Sequence, residues 1–143
     1  MPEPKSIAVV AGLIFKDGCL LACQRRADGP FPLKWEFPGG KIESGEEPTA
    51  ALKRELREEL GIESEAAEEV FTHTHSYAGF STVHLKFFYV SRYRRQIINR
   101  VFEQIRWVAA RELGAMDFLD GDRPVIEWLL GANASTLWHD CAL

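Results

Sequence analysis

The sequence predicts an α/β sandwich with a mixed β-sheet. Three observations carry this: apolar β-branched segments bounded by turn residues, a central segment with leucines every four residues, and a second short helical pattern near the C-terminus. At 143 residues the chain is long enough for one core and short for two, so a single domain over residues 1–143 is expected.

Residues 6–15 and 19–26 are apolar and separated by Asp17-Gly18, the pattern of a β-hairpin. Gly29, Pro30 and Pro32 mark a loop. A short strand at Trp35-Glu36-Phe37 is then stopped by Pro38-Gly39-Gly40. Residues 48–60 read as a helix: Pro48 suits its first turn, Leu52, Leu56 and Leu60 form one stripe, and Gly61 ends it. Segments 68–76 and 81–92, rich in Val, Thr, Phe and Tyr, are expected as paired strands, followed by a short strand at 105–109. A last helix at 123–130 has Asp122 as its N-cap, with Trp128, Leu129 and Leu130 toward the core.

The net charge of −4 disfavours a domain that grips long nucleic acid, which needs a basic surface to displace counterions. The apolar run at residues 7–15 is too short to span a membrane and meets a turn, so it reads as a buried strand and no membrane association is expected. Cys19, Cys23 and Cys141 form neither an even framework nor a C-x-x-C pair; reduced thiols and a cytoplasmic location are expected. His73 and His75 share a strand face, but two histidines without further ligands read as structural or exposed.

The helix at 48–60 carries an unusual charge pattern. Glu55, Glu58 and Glu59 lie within an arc of about 100° beside the leucine stripe. A solubility face would alternate signs, whereas Glu55 and Glu59 repel at i, i+4 by about 0.2–0.5 kcal/mol. Hard divalent cations such as Mg²⁺ bind carboxylate oxygens, keep several waters and commonly hold substrate phosphates as well. Gly39 and Gly40, lacking Cβ atoms, would let the backbone approach a metal or phosphate beside these glutamates.

These residues carry a family resemblance. Gly40, five residues, Glu46, seven residues, Arg54-Glu55-Leu56, one residue, Glu58-Glu59, one residue and Gly61-Ile62 resembles the complete Nudix box. The preceding Trp35-Glu36-Phe37-Pro38-Gly39-Gly40-Lys41 is similar to the MutT branch, which includes 8-oxo-dGTP diphosphatases and CTP pyrophosphohydrolases. The resemblance implies a Nudix-type α/β/α sandwich that hydrolyses a nucleoside triphosphate to a monophosphate and pyrophosphate with Mg²⁺ or Mn²⁺. It implies Glu55, Glu58, Glu59 and the Gly39 carbonyl as metal ligands. Glu55 would be the general base, Arg54 would orient it, and Glu46 and Gly40 would give support from behind. Lys41 and one of Arg25 or Arg26 would contact the polyphosphate. Phe37, with Tyr77 or Phe80 as alternatives, would stack on the base. Asp122 would read the base edge, and as a carboxylate that only accepts hydrogen bonds it would favour bases presenting donors.

Two departures from the family pattern stand out. Glu103 sits nearer Trp107 than the additional glutamate of MutT-type enzymes and reads as a solvent-exposed loop residue, and no arginine near residues 78–81 offers itself to the base. The expected partner is a small nucleoside polyphosphate, acting on a monomer or homodimer. A dinucleoside polyphosphate hydrolase, for which Tyr77 is a weak sign, and a catalytically idle binding module are the alternatives; the intact box argues against the second.

Overall fold

A computed structural model describes residues 6–79 and 81–138. Strands β1 (Ser6–Lys16), β2 (Cys19–Gln24), β3 (Trp35–Glu36) and β4 (Gly39–Lys41) precede helix α1 (Pro48–Leu60). Strands β5 (Glu63–Ser76), β6 (Thr82–Arg94) and β7 (Gln104–Val108) follow, then helices α2 (Ala110–Leu113) and α3 (Arg123–Leu129). A 3-10 turn at Asp120–Asp122 leads into α3, and another covers Ala132–Leu137. No helix among the described residues is long and apolar enough to cross a membrane.

The sheet is mixed, as expected, with β3-β2-β1-β6-β5 along its main path. β1 runs parallel to β6 from Ser6/Thr82 to Ile14/Val90, while its other edge is shared. β4 takes Val9 to Ala11, and β2 meets β1 only at Phe15 and Lys16. Alternation along the strands sends side chains to two separate cores. Val10, Ile14, Leu21, Cys23, Phe88 and Val90 pack against Ala51, Leu52, Leu56 and Leu60 of α1. Ala11, Leu13, Leu20, Ala22, Leu85 and Phe87 pack on the opposite face with Leu113, Phe118, Val125, Ile126 and Leu129. The result is the α/β/α sandwich.

Several expectations need correction. Gly39–Lys41 is a strand and not merely a stop, because glycine lets the backbone lie tightly along β1: a Cβ on Gly39 would run into the Val10 carbonyl. β5 begins at Glu63, ahead of the expected start, and its polar first turn of sequence pairs with β6 through register shifts near Ser64, Ala66 and Ala67. Leu130 is 48% exposed, beyond the end of α3 at Leu129, so of the three residues expected in the core only Leu129 is fully buried, with Trp128 packed at the edge. Cys19 is buried in β2, and Cys23 further along that strand is a buried free thiol. Cys141 lies outside the described residues.

Candidate active site

α1 and β4 build one end of the site. Pro48 stands in the first turn of α1, and Gly61 ends the helix in the left-handed region at φ 69°, returning its N–H to the Arg57 carbonyl. With the leucine stripe buried, the glutamate border of α1 is turned onto the Gly39-Gly40 backbone. The Gly39 N–H donates to Glu59 Oε1 at 2.9 Å. A Cβ at Gly40 would sit 2.5 Å from the Glu55 carboxyl carbon, so the carboxylate occupies the space a side chain would fill.

Arg54 organises this end. Its Nε and Nη2 donate to the two oxygens of Glu46 at 2.9 and 3.0 Å. Its Nη1 reaches Glu55 Oε1 at 2.8 Å and Glu58 Oε2 at 3.4 Å, and Nη2 also meets the Lys41 carbonyl at 3.0 Å. Glu46 accepts the Glu43 N–H as well. Arg54, followed by that N–H, lowers the Glu46 carboxyl to about 2. Burial works the other way on its neighbours. It raises Glu55 despite Arg54, and pushes Glu59 up to about 8, with the Gly39 N–H opposing and the charges of Glu36, Glu55 and Glu58 adding.

This donor set is all oxygen, which suits Mg²⁺ or Mn²⁺. Burial is the main cause that raises Glu55 and Glu59, with neighbouring carboxylate charge adding, and a divalent cation at this end would favour their ionised forms. Among the described residues no three acidic, His or Cys side chains already converge as a closed ligand set. Mg²⁺ does not require one, since it keeps several waters and shares substrate phosphates. The residues fit the ion.

A cavity of about 470 Å³ extends from this end, of a size that suits a small ligand. Gly39, Gly40, Lys41 and Glu59 line it together with Arg25, Glu36, Tyr77 and Asp122, and Val9, Ala11, Val83, Leu85 and Leu119 supply apolar wall. Of the two arginines, Arg25 lines the cavity, held by Glu36 at 3.0 Å and the Pro30 carbonyl at 2.9 Å. Arg26 is more exposed and pairs with Asp28 at 3.4 Å over a smaller adjoining hollow that also touches Arg25, Glu36 and Glu59.

Phe37 lines the cavity but is only 4% exposed, with its ring 5.0 Å from Phe118 and 6.4 Å from Phe87. The more open aromatic surface is Tyr77, whose ring centroid lies 5.2 Å from that of Phe31. Phe80 lies outside the described residues. His75 meets Tyr77 edge-on at 4.5 Å, and His73 beside it has a buried Nε2 without a hydrogen-bond partner among the described residues. Glu103 is exposed, lines neither hollow, and donates its N–H to the Gln24 carbonyl.

Asp122 occupies the N-cap position of α3, yet its side chain makes no capping hydrogen bond. It is 5% exposed and faces the cavity. Burial, then the charge of Glu36, pushes its carboxyl well above the usual range, with Arg25 opposing. The shift favours the protonated carboxyl, which offers one donor and one acceptor, whereas the ionised form only accepts. Sequence reasoning missed Glu36 and Phe31 as cavity residues. Glu36 had left a signal, because a charge between two core aromatics of a strand needs a buried partner, here Arg25. Phe31 sits in an irregular loop at φ 51° and left none.

Comparison with known proteins gives the same picture. The family model described as NUDIX domain matches residues 5–129. The chain is 34% identical over 131 residues to the CTP pyrophosphohydrolase of Escherichia coli (strain K12), spanning 92% of this chain and 96% of that one. It superimposes on the solution structure of the E. coli ORF135 protein with a TM-score of 0.80 at 34% identity, over 92% of this chain and 94% of the other. A MutT structure from a comparison of Aliivibrio salmonicida and Vibrio cholerae aligns with a TM-score of 0.76 at 30% identity, over 88% and 98% of the two chains. The complete box, its placement against a β4 made of glycines, and these matches together assign the chain to the Nudix hydrolases, in the company of MutT proteins.

Proposed function

We propose that this chain is a Mg²⁺-dependent pyrophosphohydrolase of nucleoside triphosphates, with Mn²⁺ able to substitute, and that its preferred base is cytosine, as in CTP or 5-methyl-dCTP. The observation that carries the reading is one cavity lined at once by Glu59 of α1, with Gly39 and Gly40 beside it, and by Asp122. A polyphosphate beside Glu59 and Lys41 can thereby belong to the same molecule as a base at Asp122. The protonated form of Asp122, which burial favours, fits cytosine, whose N4 amino group donates and whose N3 accepts; the name of the E. coli relative points the same way. A guanine-type edge, O6 with N1–H, offers the same donor and acceptor pair, which keeps 8-oxo-dGTP and a role in nucleotide sanitation in the test.

In this reading Glu55, Glu58, Glu59 and the Gly39 carbonyl would hold the metal, which when bound would supply neutralisation of phosphate charge. Lys41 and Arg25 steady the polyphosphate, with Arg26 at its outer side. Glu55, its carboxyl raised by burial and its orientation fixed by Arg54, accepts the proton of the attacking water. The new P–O bond forms as the bridging P–O bond breaks, and pyrophosphate leaves. Phe37 closes the floor of the cavity beneath the nucleoside.

The test is release of pyrophosphate and phosphate from CTP, 5-methyl-dCTP, dGTP, 8-oxo-dGTP and diadenosine tetraphosphate, with Mg²⁺ and with EDTA. Metal-dependent pyrophosphate release, fastest from a cytosine nucleotide, is expected. Fastest release from 8-oxo-dGTP would replace the base assignment, and nucleotide binding without turnover would replace the enzyme with a binding module.

A further inference from the structure

The turn that presents Asp122 is anchored from outside its own segment. Within the turn, the Asp122 N–H reaches the Leu119 carbonyl at 3.0 Å, and the Asp122 side chain contributes no cap. The Gly121 N–H instead donates to the hydroxyl of Tyr77, 44 residues earlier, at 2.9 Å. The fit is close: a Cβ on Gly121 would lie 2.6 Å from that hydroxyl and 3.2 Å from Leu85 Cδ1. Tyr77 is itself braced, edge-on by His75 and by Phe31 from the loop before β3, and its ring lines the same cavity as Asp122.

We propose that Tyr77 is a positioning residue for base selection: its hydroxyl fixes the Gly121-Asp122 turn at the depth where the Asp122 carboxyl meets the base edge. This rests on the reading of Asp122 given above. A hydrogen bond of about 2.9 Å is directional, so a small movement of the turn mis-sets a two-point contact more than it weakens a diffuse apolar one. Loss of the anchor therefore erodes discrimination between bases more than it slows hydrolysis as such, which is carried out at the other end of the cavity.

The experiment compares the unsubstituted protein with Tyr77→Phe, which keeps the ring and removes only the hydroxyl, and with Tyr77→Leu. Selectivity is read as the ratio of kcat/KM for CTP to that for UTP and dGTP, alongside the thermal midpoint. The expected result is a drop in that ratio of about threefold to tenfold in Tyr77→Phe, the scale of one hydrogen bond, expressed more in KM than in kcat. Tyr77→Leu is expected to fall further. A merely structural tether would lower the midpoint and leave the ratio alone, and an unchanged ratio in an active Tyr77→Phe overturns the inference whatever happens to the midpoint. Hydrolysis of no nucleotide by the unsubstituted protein overturns the functional reading and this inference with it.

Discussion

Arg54 holds both carboxylate oxygens of Glu46, at 2.9 and 3.0 Å, and still has Nη1 free to meet Glu55 at 2.8 Å. The bidentate contact fixes the guanidinium plane, and that plane sets the orientation of the Glu55 carboxylate. Glu46→Gln is expected to lower kcat/KM about 10- to 100-fold, the range for groups that orient a catalytic shell, through kcat more than KM. Steady-state kinetics with the best nucleotide check it; an unaltered kcat would show that Glu55 is held without this clamp.

Glu58 has a side chain 58% exposed and no place in either core. Glu58→Gln is therefore expected to leave circular dichroism and the thermal midpoint close to the unsubstituted values while reducing turnover by at least about 100-fold. Full activity in this variant would remove Glu58 from the metal set.

The adjacent glycines should respond differently to alanine. At Gly40 the added methyl group meets the end of a flexible side chain, Glu55, whereas at Gly39 it meets the fixed backbone of β1. Gly40→Ala is expected to fold, with activity lost because Glu55 is pushed aside. Gly39→Ala is expected to be destabilised by about 3 kcal/mol or more, the upper range for overpacking, in chemical denaturation. The opposite ranking of stabilities would contradict the β1–β4 register.

The raised carboxyl of Glu59 makes stability depend on pH. Between its ordinary value of 4.5 and about 8, the folded protein binds this proton and the unfolded chain does not. Stability without metal should therefore fall as pH rises through that window. Glu36, Glu55 and Asp122, also raised, act in the same sense, whereas Glu46, lowered to about 2, acts only below it. Thermal melts in EDTA should give a lower midpoint near pH 8 than near pH 6, with added Mg²⁺ raising it more at the higher pH. A midpoint in EDTA that rises across this interval would contradict the burial of Glu59.

Asp122 can be tested by its protonation. Asn offers a donor and an acceptor, as a neutral Asp does, so Asp122→Asn should keep the order of preference among nucleotides. Asp122→Ala should lower kcat/KM for the preferred base about 10- to 100-fold and flatten the ranking, since the base then lacks a buried partner. A reordered preference in Asp122→Asn would indicate an ionised carboxylate in the complex.

The carboxylate end was legible because it is local. Periodicity located α1 with the observed bounds, and box spacing picked out Glu46, Arg54, Glu55, Glu58 and Glu59, which the structure brings into one network with Gly39 and Lys41. The Asp122 end was less legible because it is assembled across the sheet. The residues alone offered Asp122 as a helix cap and the family resemblance offered it as a base reader; the fold adds its unused capping position, its burial and its tie to Tyr77 through Gly121. The start of β5 was obscured by polar residues that form a strand only because β6 supplies a paired edge.

The two ends of the cavity also differ in how freely they can be revised. The carboxylate end, with Gly39, Gly40, Glu46, Arg54, Glu55, Glu58 and Glu59, occupies one uninterrupted stretch, residues 39–62. The rest of the cavity is a patchwork that includes Arg25, Tyr77, Leu85 and Asp122, drawn from separate parts of the chain. Under the proposed function, substitutions around Asp122 would retune which nucleotide is accepted while the carboxylate end is inherited intact, a division of labour that would let a single scaffold diversify its diet without reinventing its reaction.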